Sequence, residues 1–274
     1  MKIASILPYK ENYSNKNAGA VSLWVSDFMK YSSYKNSITV FGHTNTRKYL
    51  TKNYVNINLK SINSKISSST KEYSNSIIKH LTKNYFDIVE IHNRPIMVED
   101  FVKSIESKII LYLHNDPKTM KGSKTKNEKL FLLENVDKIV FISEWVKKQF
   151  FSNLDFSDHN KTEVIYHSID PINKLSKKKK QIIFVGKLNE AKGYDLFCEA
   201  VDKVLKKYDD WKAFSVGDEK RFQEYYKNKK QINLGLLDNK KVLKIFQESE
   251  IAVIPSRWDE PFGRTALESS SRGC

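Results

Sequence analysis

Cysteine is scarce: Cys198 and Cys274 are the two in 274 residues. Two thiols build no disulfide framework, and nothing around them has the spacing of a metal site. Long apolar runs are missing too, since no stretch approaches the roughly 18 to 20 residues of a membrane span. Met1-Lys2-Ile3-Ala4-Ser5-Ile6-Leu7-Pro8 is too short for a signal peptide and has the pattern of a first strand. There is no Asp-x-Asp metal signature, no solenoid-type repeat and no cluster of basic and aromatic residues. Together these absences argue against a secreted disulfide scaffold, a membrane span and a dedicated nucleic-acid binder. A cytoplasmic location is expected.

What is present is enough for two ordinary α/β domains, with 40% hydrophobic residues to fill their cores. Lys and Arg number 47 against 32 Asp and Glu, a formal net charge of +15. The excess is shared about equally between the parts before and after Lys174, whereas a nucleic-acid binder would more often gather it in one patch. Such a charge also suits an enzyme that handles anionic nucleotides beside an anionic membrane. Short apolar segments alternate with longer amphipathic ones, the pattern of a doubly wound α/β domain. Strands are expected at Lys2–Leu7, Ile38–Phe41, Val55–Leu59, Asp87–Ile91, Ile109–Leu113, Lys138–Ile142 and Glu163–Tyr166. Helices are expected at Ala20–Tyr31, Thr70–Thr82, Met97–Ser104, Lys126–Leu133 and Glu144–Phe151. Residues 1–170 form a first domain, 171–180 a solvated basic linker with Lys174 and Lys177–Lys180, and 181–274 a second domain. That domain opens on the strand Gln181–Gly186, with Tyr194, Phe197 and Cys198 as core.

The most informative stretch is the last. Ile251–Ile254 reads as a strand buried on both faces of a parallel sheet. Pro255 ends it, a polar loop runs to Glu260, and a helix is expected over Arg264–Arg272. In open α/β sheets, ligands bind where strand carboxyl ends meet helix N-termini. Glu260 and Glu268 bracket this turn with seven residues between them. A carboxylate only accepts, so two of them could grip two ends of a polyhydroxylated ligand. Upstream, Gly186-Lys187-Leu188 and Lys192-Gly193 follow a buried strand.

Glu-Pro-Phe-Gly-Arg-Thr-Ala-Leu-Glu, with Pro-Ser-Arg-Trp-Asp before it, resembles the E-x7-E motif of retaining, nucleotide-sugar-dependent glycosyltransferases of family 4. The resemblance implies the GT-B fold: two Rossmann-like doubly wound domains facing across a cleft. Lys187-Leu188 and Lys192-Gly193 are similar to that family's Gly-Arg-Leu and Lys-Gly signature, with Lys187 at the usual Arg position. By resemblance, Lys187 and Lys192 hold the donor diphosphate, where charge builds as the sugar leaves. Glu260 then holds sugar hydroxyls with backbone N–H groups near Phe262 and Gly263, and Glu268 holds the ribose. Arg264 and Thr265 complete the donor site.

Two histidines end strands of the first domain, in His92-Asn93-Arg94 and His114-Asn115-Asp116. His114 matches the family's histidine on the donor sugar, and His92, Asn93, Arg94, Asn115 and Asp116 are expected near it. The family's paired glycines in the first loop are here Ala18-Gly19, so Gly19 alone is expected beside the donor. Lys118–Lys129, with Gly122, reads as a mobile basic loop entering a helix. Tyr166-His167-Ser168-Ile169-Asp170 stands at the family's interdomain crossing. No cofactor or metal is expected, the nucleotide sugar itself being the donor substrate. Expected partners are that donor, a carbohydrate or lipid-linked acceptor of the cell envelope and an anionic membrane touched peripherally, with no nucleic acid. Rival readings are a nucleotide-sugar epimerase of the same fold and a non-catalytic anion- or nucleic-acid-binding protein. The resemblance further implies strands beyond Cys274, so the second domain is expected incomplete, aggregation-prone and inactive as it stands.

Overall fold

A computed structural model describes residues 1–16, 18–46, 48–59, 69–172, 174–218 and 228–274. Asn17 of the first loop and Asn173 of the expected linker lie outside these residues. The chain divides into two compact units, Met1–His167 and Ser168–Cys274.

The first unit holds β1 (Ile3–Ile6), α1 (Ala20–Tyr31), β2 (Ile38–Gly42), β3 (Tyr54–Asn56), α2 (Ser69–Lys83) and β4 (Ile88–His92). Then follow α3 (Val98–Val102), β5 (Lys108–Leu113), α4 (Lys126–Asn135), β6 (Lys138–Phe141), α5 (Glu144–Phe151) and β7 (Thr162–Val164). Its strands form one sheet in the order β3-β2-β1-β4-β5-β6-β7. Every neighbour pair is parallel. Parallel strands are covered on both faces, which is why Ile38–Gly42 and Lys108–Leu113 are nearly continuous apolar runs. The order turns outward in both directions from β1 and β4, so their carboxyl ends border the switch-point crevice where such sheets take ligands.

The second unit holds β8 (Lys179–Val185), α6 (Tyr194–Lys207), β9 (Lys212–Val216), β10 (Gln231–Asn233), α7 (Asn239–Glu248), β11 (Ser249–Ala252) and α8 (Arg264–Ser270). The sheet order is β10-β9-β8-β11, again all parallel. Its switch point lies between β8 and β11. Tyr194, Phe197 and Cys198 are buried in its core, as the apolar face of α6 requires.

Three expectations need correction. Ile251–Ile254 is not a strand buried on both faces. β11 begins at Ser249, pairs with β8 alone among the described residues, and leaves Ile251 and Ile254 exposed by 43% and 41%. The basic run before residue 181 is not a free linker. Lys179 and Lys180 already belong to β8 and pair with Glu248 and Asp210, while Lys178 Nζ donates to the Phe246 and Arg272 carbonyls. The segment 118–129 enters a helix as expected and exposes Lys118, Lys121, Lys124 and Lys126, but it is anchored as a built turn rather than solvated throughout. Ser123 is buried and donates to the Pro117 carbonyl, and Thr125 and Glu128 form a capping box at the start of α4. Lys129 is fully buried with its ammonium on Asn153.

Candidate functional site

In the second unit the loop after β8 and the loop after β11 are laced together. Gly193 has φ 70°, and a β-carbon there would lie 2.0 Å from the Pro255 carbonyl oxygen. Only glycine permits both the left-handed backbone and this approach. The Arg257 N–H donates to the Ala191 carbonyl at 3.0 Å. Its guanidinium bonds both carboxylate oxygens of Asp195 at 2.7 Å and the Glu190 carbonyl at 2.7 Å. A bidentate fork of this kind fixes direction as well as distance.

The lacing brings Lys192 onto Glu260. The Lys192 ammonium pairs with Glu260 Oε1 and lies 5.6 Å from the centre of the Trp258 ring. The Ser256 hydroxyl donates to the same oxygen at 2.6 Å. Burial pushes the Glu260 carboxyl up, but the hydrogen bonds from Lys192 and Ser256 outweigh it and hold the group below its ordinary range. Glu268 sits on the first turns of α8, behind Gly263. It is buried, and Arg264 Nε and Asn239 Nδ2 donate to its Oε1 at 2.9 and 3.0 Å. Phe262, Gly263 and Thr265 are half-buried around this helix start. Lys187 is exposed on the β8 loop, and its side chain makes no hydrogen bond or ion pair among the described residues. Lys192, Glu260 and Glu268 with Arg264 are therefore held in place, whereas Lys187 is not.

In the first unit, His92 and His114 end β4 and the strand β5 beside it, and both are buried. His92 Nδ1 is 3.1 Å from His114 Nε2, and His92 Nε2 is 2.9 Å from Ser5 Oγ on β1. Trp24 of α1 packs on both rings at 5.5 and 5.3 Å. Burial, and then the neighbouring His92 and His167, hold the His114 pKa well below its ordinary value, so its ring is neutral. Asn93 adopts φ 56°, a conformation that asparagine tolerates better than most residues. From there its Oδ1 accepts the N–H groups of His114 and Asn115 at 3.1 Å each. Arg94 donates to the Asn93 carbonyl at 2.8 Å and to the Tyr9 carbonyl, tying the β4 loop to the β1 loop. Asp116 caps the turn at Pro117–Thr119 through the Lys118 N–H, which gives it a structural role.

Gly19 differs from expectation. The space beside its α-carbon is filled by Glu11, whose Oε1 would lie 2.2 Å from an added β-carbon. Glu11 accepts the Ser22 N–H at 3.1 Å and so caps α1, which has no cap from its own N-cap residue. Burial raises the Glu11 carboxyl pKa, and the N–H groups of Ser22 and Val21 oppose that rise only in part. Glu11, Ser256 and Asn239 escape a reading of motifs, because each is an ordinary polar residue in a loop or at a helix start. Among the described residues no group of three His, Cys, Asp or Glu could hold a metal ion. Among them, too, no helix is long and apolar enough to cross a membrane.

Comparison with known proteins follows the same division. Residues 167–274 match the family described as glycosyl transferases group 1. Across the whole chain, a putative glycosyltransferase of Bacillus subtilis, YtcC, is 24% identical, and the match spans 73% of its length. The crystal structure of Anabaena Alr3699/HepE in complex with UDP-glucose superposes with a TM-score of 0.72 at 14% identity, over all of this chain and 79% of that one. The lipopolysaccharide outer core galactosyltransferase WaaB gives 0.63 at 17% identity, again over all of this chain and 79% of its own. The chain has the GT-B fold. Together these matches support glycosyl transfer.

Proposed function

We propose that this chain is a retaining glycosyltransferase of the family 4 type, moving a hexose from a nucleoside-diphosphate donor to an acceptor hydroxyl. The observation that carries this reading is the cluster of Lys192, Glu260 and Ser256 at the switch point of the second sheet, followed by Glu268 on α8. Glu260 accepts from donor-sugar hydroxyls, helped by backbone N–H groups near Phe262 and Gly263. Glu268, its Oε1 held by Arg264 and Asn239, binds the ribose. Lys192 stabilises the leaving diphosphate, and Lys187, exposed on the same loop, reaches the donor from its mouth. A cation placed where negative charge develops lowers the barrier more than it tightens the ground state.

His114 positions the donor sugar. The departing diphosphate takes the acceptor proton on the face it leaves, so configuration is retained without a side-chain nucleophile, and no metal is required. WaaB acts on a lipopolysaccharide, and its likeness supports an acceptor of the cell envelope, met at an anionic membrane surface by this basic chain. Donor recognition is tested by thermal denaturation with a panel of nucleotide sugars, UDP-glucose first. A ligand that binds the native state alone must raise the melting temperature, by about 2.7 kcal/mol of stability at a hundred times its Kd. Absence of any shift across the panel, with the chain folded, refutes the reading.

A further inference from the structure

We infer that Glu90 and His92 act as positioning residues that fix the tautomer of His114, leaving a bare lone pair on its Nδ1. The inference rests on the reading that His114 meets the donor sugar, and it adds which kind of atom it can meet there.

The starting observation is an orphan. His114 Nδ1 is buried and has no hydrogen-bond partner among the described residues. The rest of the ring is accounted for. Its Nε2 faces His92 Nδ1 at 3.1 Å, and two nitrogens so placed must share one proton. Where each ring carries a single proton, two arrangements are open. Either both carry their proton on Nε2, or both carry it on Nδ1. The far end of the chain decides between them. Glu90 Oε2 lies 3.8 Å from His92 Nε2, and the Tyr112 hydroxyl holds the same carboxylate through Oε1 at 3.3 Å. A negative charge beside Nε2 favours a proton there. The Ser5 hydroxyl, 2.9 Å from Nε2, can accept that proton's hydrogen bond as readily as donate one, so it does not oppose the choice. His92 Nδ1 is then a lone pair, the His114 Nε2–H donates to it, and His114 Nδ1 is left bare.

A bare imidazole nitrogen accepts hydrogen bonds and cannot donate one. It suits a sugar hydroxyl and disfavours a phosphate oxygen, which has only lone pairs to offer at neutral pH. The relay thus selects the sugar, rather than the diphosphate, for the place beside His114. Packing keeps the arrangement rigid, since the His92 ring stacks on Tyr112 at 4.7 Å and Trp24 covers both imidazoles.

The test is long-range 15N–1H correlation spectroscopy of the histidine rings in the intact chain at neutral pH. The expected spectrum shows His114 with a protonated Nε2 and an unprotonated Nδ1. Glu90→Gln keeps the shape and the Tyr112 contact but removes the charge, and should move His114 toward a mixture of tautomers. His92→Phe should do the same, and if it fails to fold, the wild-type and Glu90→Gln spectra decide alone. In turnover, Glu90→Gln should lower kcat roughly 2- to 10-fold with KM little changed, the loss of one neutral hydrogen bond. A wild-type proton on Nδ1, or ring shifts unmoved by Glu90→Gln, overturns the inference. If the tautomers are as expected but no nucleotide sugar perturbs the Nδ1 resonance, the relay stands and the assignment of His114 to the donor sugar falls.

Discussion

Replacing Lys192 with Ala separates a structural ion pair from a catalytic cation. The Lys192 and Glu260 side chains keep 29% and 27% of their surface exposed. A pair this wet contributes at most about 1 kcal/mol to stability. For a unit the size of residues 168–274, that loss lowers the melting temperature by at most about 4 to 8 °C. In a version extended to the length of its relatives, the kinetic loss should be much larger. A preorganised donor aimed at developing charge supplies about 3 to 4 kcal/mol, so kcat/KM should fall by roughly 10² to 10³. Lys192→Arg keeps the charge but spreads it over a planar fork, and should recover part of it.

The pH dependence of stability carries a sign. The Glu260 carboxyl is held below its ordinary value of 4.5, so the pair's stabilisation is complete above that pH and disappears as acid protonates the folded carboxylate. The stability gap between wild type and Lys192→Ala should therefore close below about pH 4.5. Donor turnover is measured alongside thermal and acid denaturation. Wild-type kcat/KM in a folded Lys192→Ala protein refutes the diphosphate assignment, whatever happens to stability.

Gly193→Ala should cost about 1 to 2 kcal/mol from the left-handed backbone alone, and more from the clash with Pro255. Because it parts the two loops, donor affinity should fall with it, as titration calorimetry would read. Gly19→Ala should expel the Glu11 carboxylate and uncap α1, for about 0.5 to 2 kcal/mol. Glu11→Ala should cost a similar amount, and the double variant little more than either single one, in a denaturation cycle. Glu11→Gln should gain on wild type as pH rises above 4.5, since a carboxyl whose pKa is raised by folding loses stabilisation on ionising. Turnover should survive a chelator. Loss of activity restored by a divalent ion would reveal a metal requirement.

The second unit was more legible in the sequence because each half of its cluster sits in a short motif after a strand, although Lys192 and Glu260 are 68 positions apart. Lys192 follows one strand, Glu260 follows another, and glycine and proline mark the turns between strand and helix. The strand before Glu260 departs from its apolar run for a physical reason. An apolar run reports burial without saying how many neighbours a strand has, and β11 has β8 on one side only among the described residues. Its pairing begins at Ser249 opposite Lys179, which draws the strand two residues upstream of the apolar run. The basic residues around it gave no sign of pairing, because Lys179 and Lys180 meet carboxylates at the ends of distant elements.

The first unit hid more, since its chemistry is assembled by the sheet. Ser5 lies opposite Glu90, and His92 opposite Tyr112, only because β1, β4 and β5 are neighbours. Nothing local joins Ser5 to a residue 87 positions away. A trace was nevertheless present. Glu90 and His92 sit two apart in a strand that is otherwise apolar, hence on one face, and buried parallel strands exclude such residues unless they are partnered. Two polar side chains at strand period inside an apolar run therefore demand partners on adjacent strands. Ser5, Tyr112 and His114 supply them, and His114 Nδ1, which has no hydrogen-bond partner among the described residues, is the atom whose chemistry the proposed reaction would use.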